Sequence, residues 1–204
     1  RTLEVSEQLI LATDSGHSPW RLIEAQDRYY RDITAGELIL EALEYRATRA
    51  QEAPPPHVPA TERITGRQPT VLDKVDLTLN IDPEQYDEQL ELFQGQLRDL
   101  GWQAYQQKRS VVAVFEGWDA AGKGSAIRRV TRAIDPRLFR LVQFAAPTDE
   151  ERAHHYLWRF WRQLQRDGRC TFYDRSWYGR VLVERVEQYA SPAEWQRAYN
   201  EINR

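Results

Sequence analysis

Gly117-x-x-x-x-Gly122-Lys123 follows directly on the apolar run Val111-Val-Ala-Val-Phe115. Backbone N–H groups in such a glycine-rich turn converge on an anion, and Lys123 adds a point charge where a transferable phosphate would sit. The spacing fits a Walker A loop, in which Gly117, Ala120, Ala121, Gly122, Gly124 and Ser125 would line a bound phosphate. One position departs from that pattern: Gly124 stands where a Ser or Thr hydroxyl usually binds Mg²⁺. Asp119, inside the loop, is the natural substitute ligand unless Ser125 reaches the metal. Downstream, Thr171-Phe-Tyr-Asp174 is an apolar segment ending in an acid, as a Walker B segment does. Asp119 and Asp174 could therefore face one Mg²⁺, an ion that takes oxygen ligands and keeps several waters. Arg175 and Arg180 follow, and their guanidinium groups could grip phosphate oxygens bidentately.

Each of these residues also has a plainer explanation. The glycines could make only a tight strand-to-helix turn with a solvated lysine, and Asp174 could serve as a helix N-cap. Arg180 could be occupied by surface ion pairs with Glu184 or Glu187. Arg128 and Arg129 fit an exposed helix face, and His154 and His155 show no partner pattern. Trp158, Trp161 and Trp177 fit core or interdomain packing, and Cys170 a buried strand position. The turn explanation weakens because a strand precedes the loop, a helix follows it, and the acid-terminated segment lies downstream.

The elements that must hold these groups are legible from periodicity. Residues 1–50 predict helices at Leu3–Ala12, Pro19–Arg31 and Ala35–Ala50, followed by a proline-rich linker over 51–69. Asp82-Pro83-Glu84 predicts the start of a long helix whose Leu90, Phe93, Leu97, Leu100 and Ala104 form one apolar stripe. Val111–Phe115 predicts a strand buried on both faces. A helix from Gly122 to about Ile134 and a strand over Phe139–Ala145 come next. Thr148-Asp-Glu-Glu151 is a capping box that predicts a helix to about Arg166. A strand over Arg169–Tyr173 ends at Asp174, and Ser191-Pro-Ala-Glu194 is a second capping box. This alternation predicts a doubly wound α/β fold with a parallel sheet, whose strand ends carry the ligand.

Composition narrows the partners. The 204 residues hold 28 Lys and Arg against 31 Asp and Glu, a formal charge of −3, so no general basic field points to nucleic acid. Any anion site must be local. No apolar run approaches the roughly 20 residues that span a bilayer. The single Cys170 forms no internal disulfide, and no zinc-ligand spacing appears, which fits a reducing, cytoplasmic setting. The chain lacks methionine, begins at Arg1 and ends inside a helical pattern, as a segment of a longer polypeptide would.

The loop belongs to a set: Phe115-Glu-Gly-Trp-Asp-Ala-Ala-Gly-Lys-Gly124, Asp135-Pro-Arg137, Ala146-Pro-Thr-Asp-Glu150 and Phe172-Tyr-Asp-Arg-Ser-Trp-Tyr-Gly-Arg180. Together these resemble the polyphosphate kinase 2 family, over about Val71 to Arg204, and Tyr178 to Val186 is most similar to its tandem-domain form. The resemblance implies a P-loop NTPase-like three-layer fold preceded by a helical segment. On that basis residues 1–50 would be the helical tail of a preceding domain, and 70–204 a phosphotransferase domain continuing past Arg204. It further implies Mg²⁺-dependent transfer of the terminal phosphoryl of inorganic polyphosphate to a nucleoside mono- or diphosphate, with AMP as acceptor and ADP as product. Asp119 and Asp174 would bind the metal, Lys123 the phosphate, and Arg175 and Arg180 the anionic substrates. A homo-oligomer is compatible with this assignment. The rivals are an ATP-dependent nucleoside monophosphate kinase, disfavoured by Asp119 and Gly124, and a non-catalytic copy, disfavoured by the intact lysine and acids.

Overall fold

The computed structural model describes residues 2–16, 18–48 and 71–203; the expected linker lies outside them. In chain order the elements are α1 (Thr2–Thr13), α2 (Arg28–Thr48), a 3₁₀ turn (Leu72–Lys74), α3 (Pro83–Gln106), β1 (Val111–Phe115), α4 (Lys123–Ala133) and β2 (Phe139–Gln143). There follow α5 (Asp149–Arg152), α6 (Trp158–Trp161), β3 (Cys170–Asp174), a 3₁₀ turn (Trp177–Arg180), α7 (Val183–Val186) and α8 (Pro192–Ile202).

The described residues group into two compact units, and each is discontinuous in sequence. One takes in residues 23–48 and 77–176; the other takes in 2–16, 18–22, 71–76 and 177–203. α2 groups with the sheet, and α1 with α8.

In the sheet-bearing unit, β3 is central in a parallel sheet of order β1-β3-β2. Val111–Phe115 pairs with Cys170–Asp174, which pairs on its other side with Phe139–Gln143. Because strand side chains alternate in direction, β3 serves two layers. Cys170 and Phe172 join a core built from Ile39, Leu40 and Leu43 of α2, Leu97 and Ala104 of α3, and Ile127 and Val130 of α4. Tyr173 meets Phe144 at 5.7 Å between ring centroids, and its hydroxyl donates to the Phe160 carbonyl at 2.7 Å. Burial pushes the Cys170 thiol up to about 11, so it is an inert packing group.

A buried ion cluster ties the three helices of this core together. The Asp32 side chain, 2% exposed, accepts from Arg31 at 2.9 and 2.7 Å and pairs with Arg129 Nε at 3.1 Å. The Tyr86 hydroxyl stands 3.5 Å from the same carboxylate. Arg129 is therefore a structural link between α2 and α4, not the solvated residue its position on the helix suggests.

Several expected elements differ. Val111–Phe115 is not buried on both faces, since Val112 is 45% exposed, and among the described residues it pairs with β3 alone. Pro19–Asp27 is not helical. Asp14 accepts from the Trp20 backbone N–H and Thr13 from its indole N–H, each at 2.8 Å, which fixes an extended turn before α2 starts. The helix expected to run to Arg166 breaks into α5 and α6. Its capping box forms as expected, but the chain then turns so that His154 stacks on Trp158 at 3.9 Å and Phe160 packs on Phe144 at 4.4 Å. Trp161 is left 44% exposed instead of joining the core.

In the other unit, Trp20 packs on Tyr178 at 4.7 Å and Asn203 donates to the Ala12 carbonyl at 2.9 Å, joining α1 to the end of α8. The second capping box forms at Ser191 and Glu194, opening α8.

Candidate active site

The carboxyl ends of β1 and β3 are adjacent, with Phe115 in register with Asp174. Each delivers a loop. From β1 the chain enters Glu116–Gly122, where Gly117 has φ +153°, Ala120 +64° and Gly122 +84°. A non-glycine residue in the left-handed region at Ala120 marks a backbone held against its preference, as functional loops often are. Gly122 caps α4, so the free N–H groups of that helix's first turn face the loop. Lys123 folds back, its Nζ donating to the Gly117 and Trp118 carbonyls at 2.9 and 2.8 Å. The ammonium has three protons, so a donor remains for a phosphate oxygen.

From β3 the chain passes through Asp174 into Arg175, also left-handed at φ +66°. The Arg175 N–H donates to the Phe115 carbonyl at 3.1 Å, and its guanidinium pairs with Asp119 at 2.5 Å. Half-buried Asp174 lies 3.5 Å from Gln143 Nε2. The structure thus brings Asp119, Lys123, Asp174 and Arg175 to the ends of two paired strands. Ala121 donates its N–H to Trp118, and Ser125 its N–H to Gly122, closing the loop onto the helix. A Cβ added at Gly124 would meet nothing within 4 Å, so the missing hydroxyl there has no steric cause.

Arg180 falls in the other unit and is paired there with Glu184 at 3.1 Å and Glu194 at 3.5 Å. Its expected ion pair with Glu184 is therefore present. Asp135-Pro-Arg137 forms a self-contained clamp: Arg137 donates from its backbone and guanidinium, holding the Asp135 carboxyl down at about 2.

One site residue escapes sequence inspection. Glu116 Oε1 accepts from the Ser176 N–H at 2.8 Å and its hydroxyl at 2.7 Å, fastening the two loops to each other. The available signal is an acid between strand and glycine loop, but its partner lies 60 residues away. Burial pushes the Glu116 carboxyl above its ordinary value of 4.5, against the pull of the Ser176 hydrogen bonds and the Lys123 and Arg175 charges. A raised folded-state value means stability that is full below the unfolded value and lost as pH rises through the folded one. Glu116→Gln keeps the acceptor and removes the charge. It should gain in thermal midpoint relative to the parent as pH rises above the ordinary value of 4.5 and lose that gain below it, a trend that melting curves across the range check.

Among the described residues no group of three or more His, Cys, Asp or Glu could enclose a metal, so a fully protein-built cage is not present there. Asp174 at the end of β3 and Asp119 in the loop after β1 are oxygen donors of the kind Mg²⁺ takes, an ion that commonly completes its shell with water and phosphate oxygens. Asp119 would have to exchange Arg175 for the ion. Nor is any described helix long and apolar enough to cross a membrane.

A glycine loop feeding a helix, a lysine at its end and an acid closing the neighbouring parallel strand define a P-loop phosphate-binding domain. The model of the family polyphosphate kinase 2 matches residues 80–204, and the chain belongs to that family. It is 46% identical over 205 residues to a polyphosphate:AMP phosphotransferase of Pseudomonas aeruginosa, covering 100% of this chain and 41% of that protein. It is 44% identical over 85 residues to a GDP-polyphosphate phosphotransferase of Mycobacterium tuberculosis, covering 42% of this chain and 29% of the relative. A Pseudomonas aeruginosa crystal structure assigned to polyphosphate kinase 2 matches with a TM-score of 0.60 and 44% identity, over 98% of this chain and 40% of the other. The chain spans about two fifths of the length of the first of these relatives.

Proposed function

We propose that this polypeptide carries the phosphoryl-transfer site of an enzyme that moves the terminal phosphoryl group of inorganic polyphosphate to AMP, giving ADP. The observation that carries the proposal is the meeting of Asp119 and Arg175 across the loops of two paired strands, beside Lys123 and Asp174. Opposite charges, a helix N-terminus and an ammonium on the loops of two paired strands suit a reaction governed by positioning and charge neutralisation. An oxygen of the AMP phosphate attacks the terminal phosphorus, the bridging P–O bond breaks, and polyphosphate leaves one unit shorter. No covalent enzyme intermediate is required. Lys123 and the loop N–H groups hold the transferring phosphoryl, and Arg175 balances its charge. Asp119 and Asp174 would hold Mg²⁺, which supplies further neutralisation of phosphate charge. AMP as acceptor is supported by the match over the whole chain to a polyphosphate:AMP phosphotransferase, against a shorter match to a GDP-polyphosphate enzyme. A cytoplasmic setting and assembly into a homo-oligomer complete the proposal.

Incubation with AMP, Mg²⁺ and either long-chain polyphosphate or ATP tests it. ADP should form with polyphosphate; ADP formed from ATP alone would replace the proposal with an ordinary monophosphate kinase.

A further inference from the structure

Gly122 is in contact with a residue that sequence spacing does not connect to the loop. A Cβ built on it would stand 1.7 Å from Arg31 Nη1, 2.3 Å from Cζ and 2.8 Å from Nε. The guanidinium of Arg31 thus lies directly against the residue that caps α4. It is held there firmly: Nε and Nη2 both donate to Asp32 Oδ1, and the Asp32 carboxylate is buried and shared with Arg129 of α4. The Arg31 side chain is 13% exposed.

This placement gathers positive charge at one turn. A helix N-terminus carries partial positive charge, and a cation beside it is repelled. Lys123 adds a second positive charge at the same turn. Asp32 is divided between two arginines, so the cluster of Arg31, Asp32 and Arg129 keeps a net positive charge, while Glu116, which faces Lys123 and Arg175, is engaged by Ser176. Asp119 is engaged with Arg175. A bound polyanion would relieve this excess, and a guanidinium with two donors already fixed loses little freedom in offering Nη1 to it.

We infer that Arg31 is a further phosphate-binding residue of the loop, taking an oxygen of an inorganic phosphate chain next to the group held by Lys123, with Asp32 as its positioning residue. This rests on the phosphotransferase reading of the loop. It gives Gly122 a second reason to be glycine besides its φ of +84°, because any side chain would displace the guanidinium.

Calorimetric titration with inorganic tripolyphosphate, alongside melting curves, tests the inference. The parent chain should bind, Arg31→Ala should bind at least about tenfold more weakly, and Arg31→Lys should recover part of the loss by restoring charge without the fork. Should the alanine variant fail to fold, Arg31→Gln, which keeps bulk and a donor for Asp32, is expected to show the same tenfold loss. Parent-like affinity in the folded alanine or glutamine variant would overturn this inference and leave the phosphotransferase reading standing. Absence of binding by the parent chain would overturn that reading and this inference with it.

Discussion

Lys123→Ala should lower phosphoryl transfer about a thousandfold, corresponding to about 4 kcal/mol of lost transition-state stabilisation. The ammonium is placed by the strand and loop that precede it, and its bonds to the Gly117 and Trp118 carbonyls hold it over the turn where phosphate would rest. Truncation removes both the point charge and the group that spans the loop. Because the lysine is on the exposed side of the turn, the thermal midpoint should fall by only a few degrees. Steady-state rates with polyphosphate and AMP, beside melting curves, separate the two effects. A folded Lys123→Ala protein with parent-like turnover would remove the loop from the mechanism.

Asp119→Asn and Asp174→Asn should each lower turnover by about a hundredfold to a thousandfold and raise the Mg²⁺ concentration needed for half-maximal rate. Both substitutions preserve shape and remove charge, so they isolate the metal-binding role. The Asp119 ion pair with Arg175 joins side chains 89% and 52% exposed, and losing it should cost less than about 1 kcal/mol of stability. A catalytic collapse without a stability change therefore marks a ligand. Mg²⁺ titrations of the rate supply the measurement, and an unchanged Mg²⁺ requirement in both variants would assign the metal elsewhere.

The strands, α3, α4 and both capping boxes are legible in the sequence because local signals determine them: an apolar run, a cap three residues before its partner, a stripe at helical spacing. The four groups gathered at the strand ends are legible for the same reason, since parallel strands put consecutive loops on one side. What escapes is set by tertiary contacts. Nothing in Val111–Phe115 announces the exposure of Val112, because neighbouring elements decide which strand faces are covered. The break between α5 and α6 depends on Phe160 reaching Phe144 and Tyr173, and the extended Pro19–Asp27 depends on Asp14 and Thr13 holding Trp20. Glu116 and Arg31 join the site through partners far along the chain, Ser176 and Gly122, so no spacing rule connects them. Arg129 reads as a surface residue until the buried Asp32 appears beside it.

Direct transfer from polyphosphate to a nucleotide at this loop can be followed by ³¹P NMR of a mixture of the protein, AMP, Mg²⁺ and long-chain polyphosphate. The ADP β-phosphate signal should grow as polyphosphate shortens, one transferred unit per ADP, without matching release of orthophosphate, and Lys123→Ala should suppress this signal. Orthophosphate accumulating without ADP would contradict it.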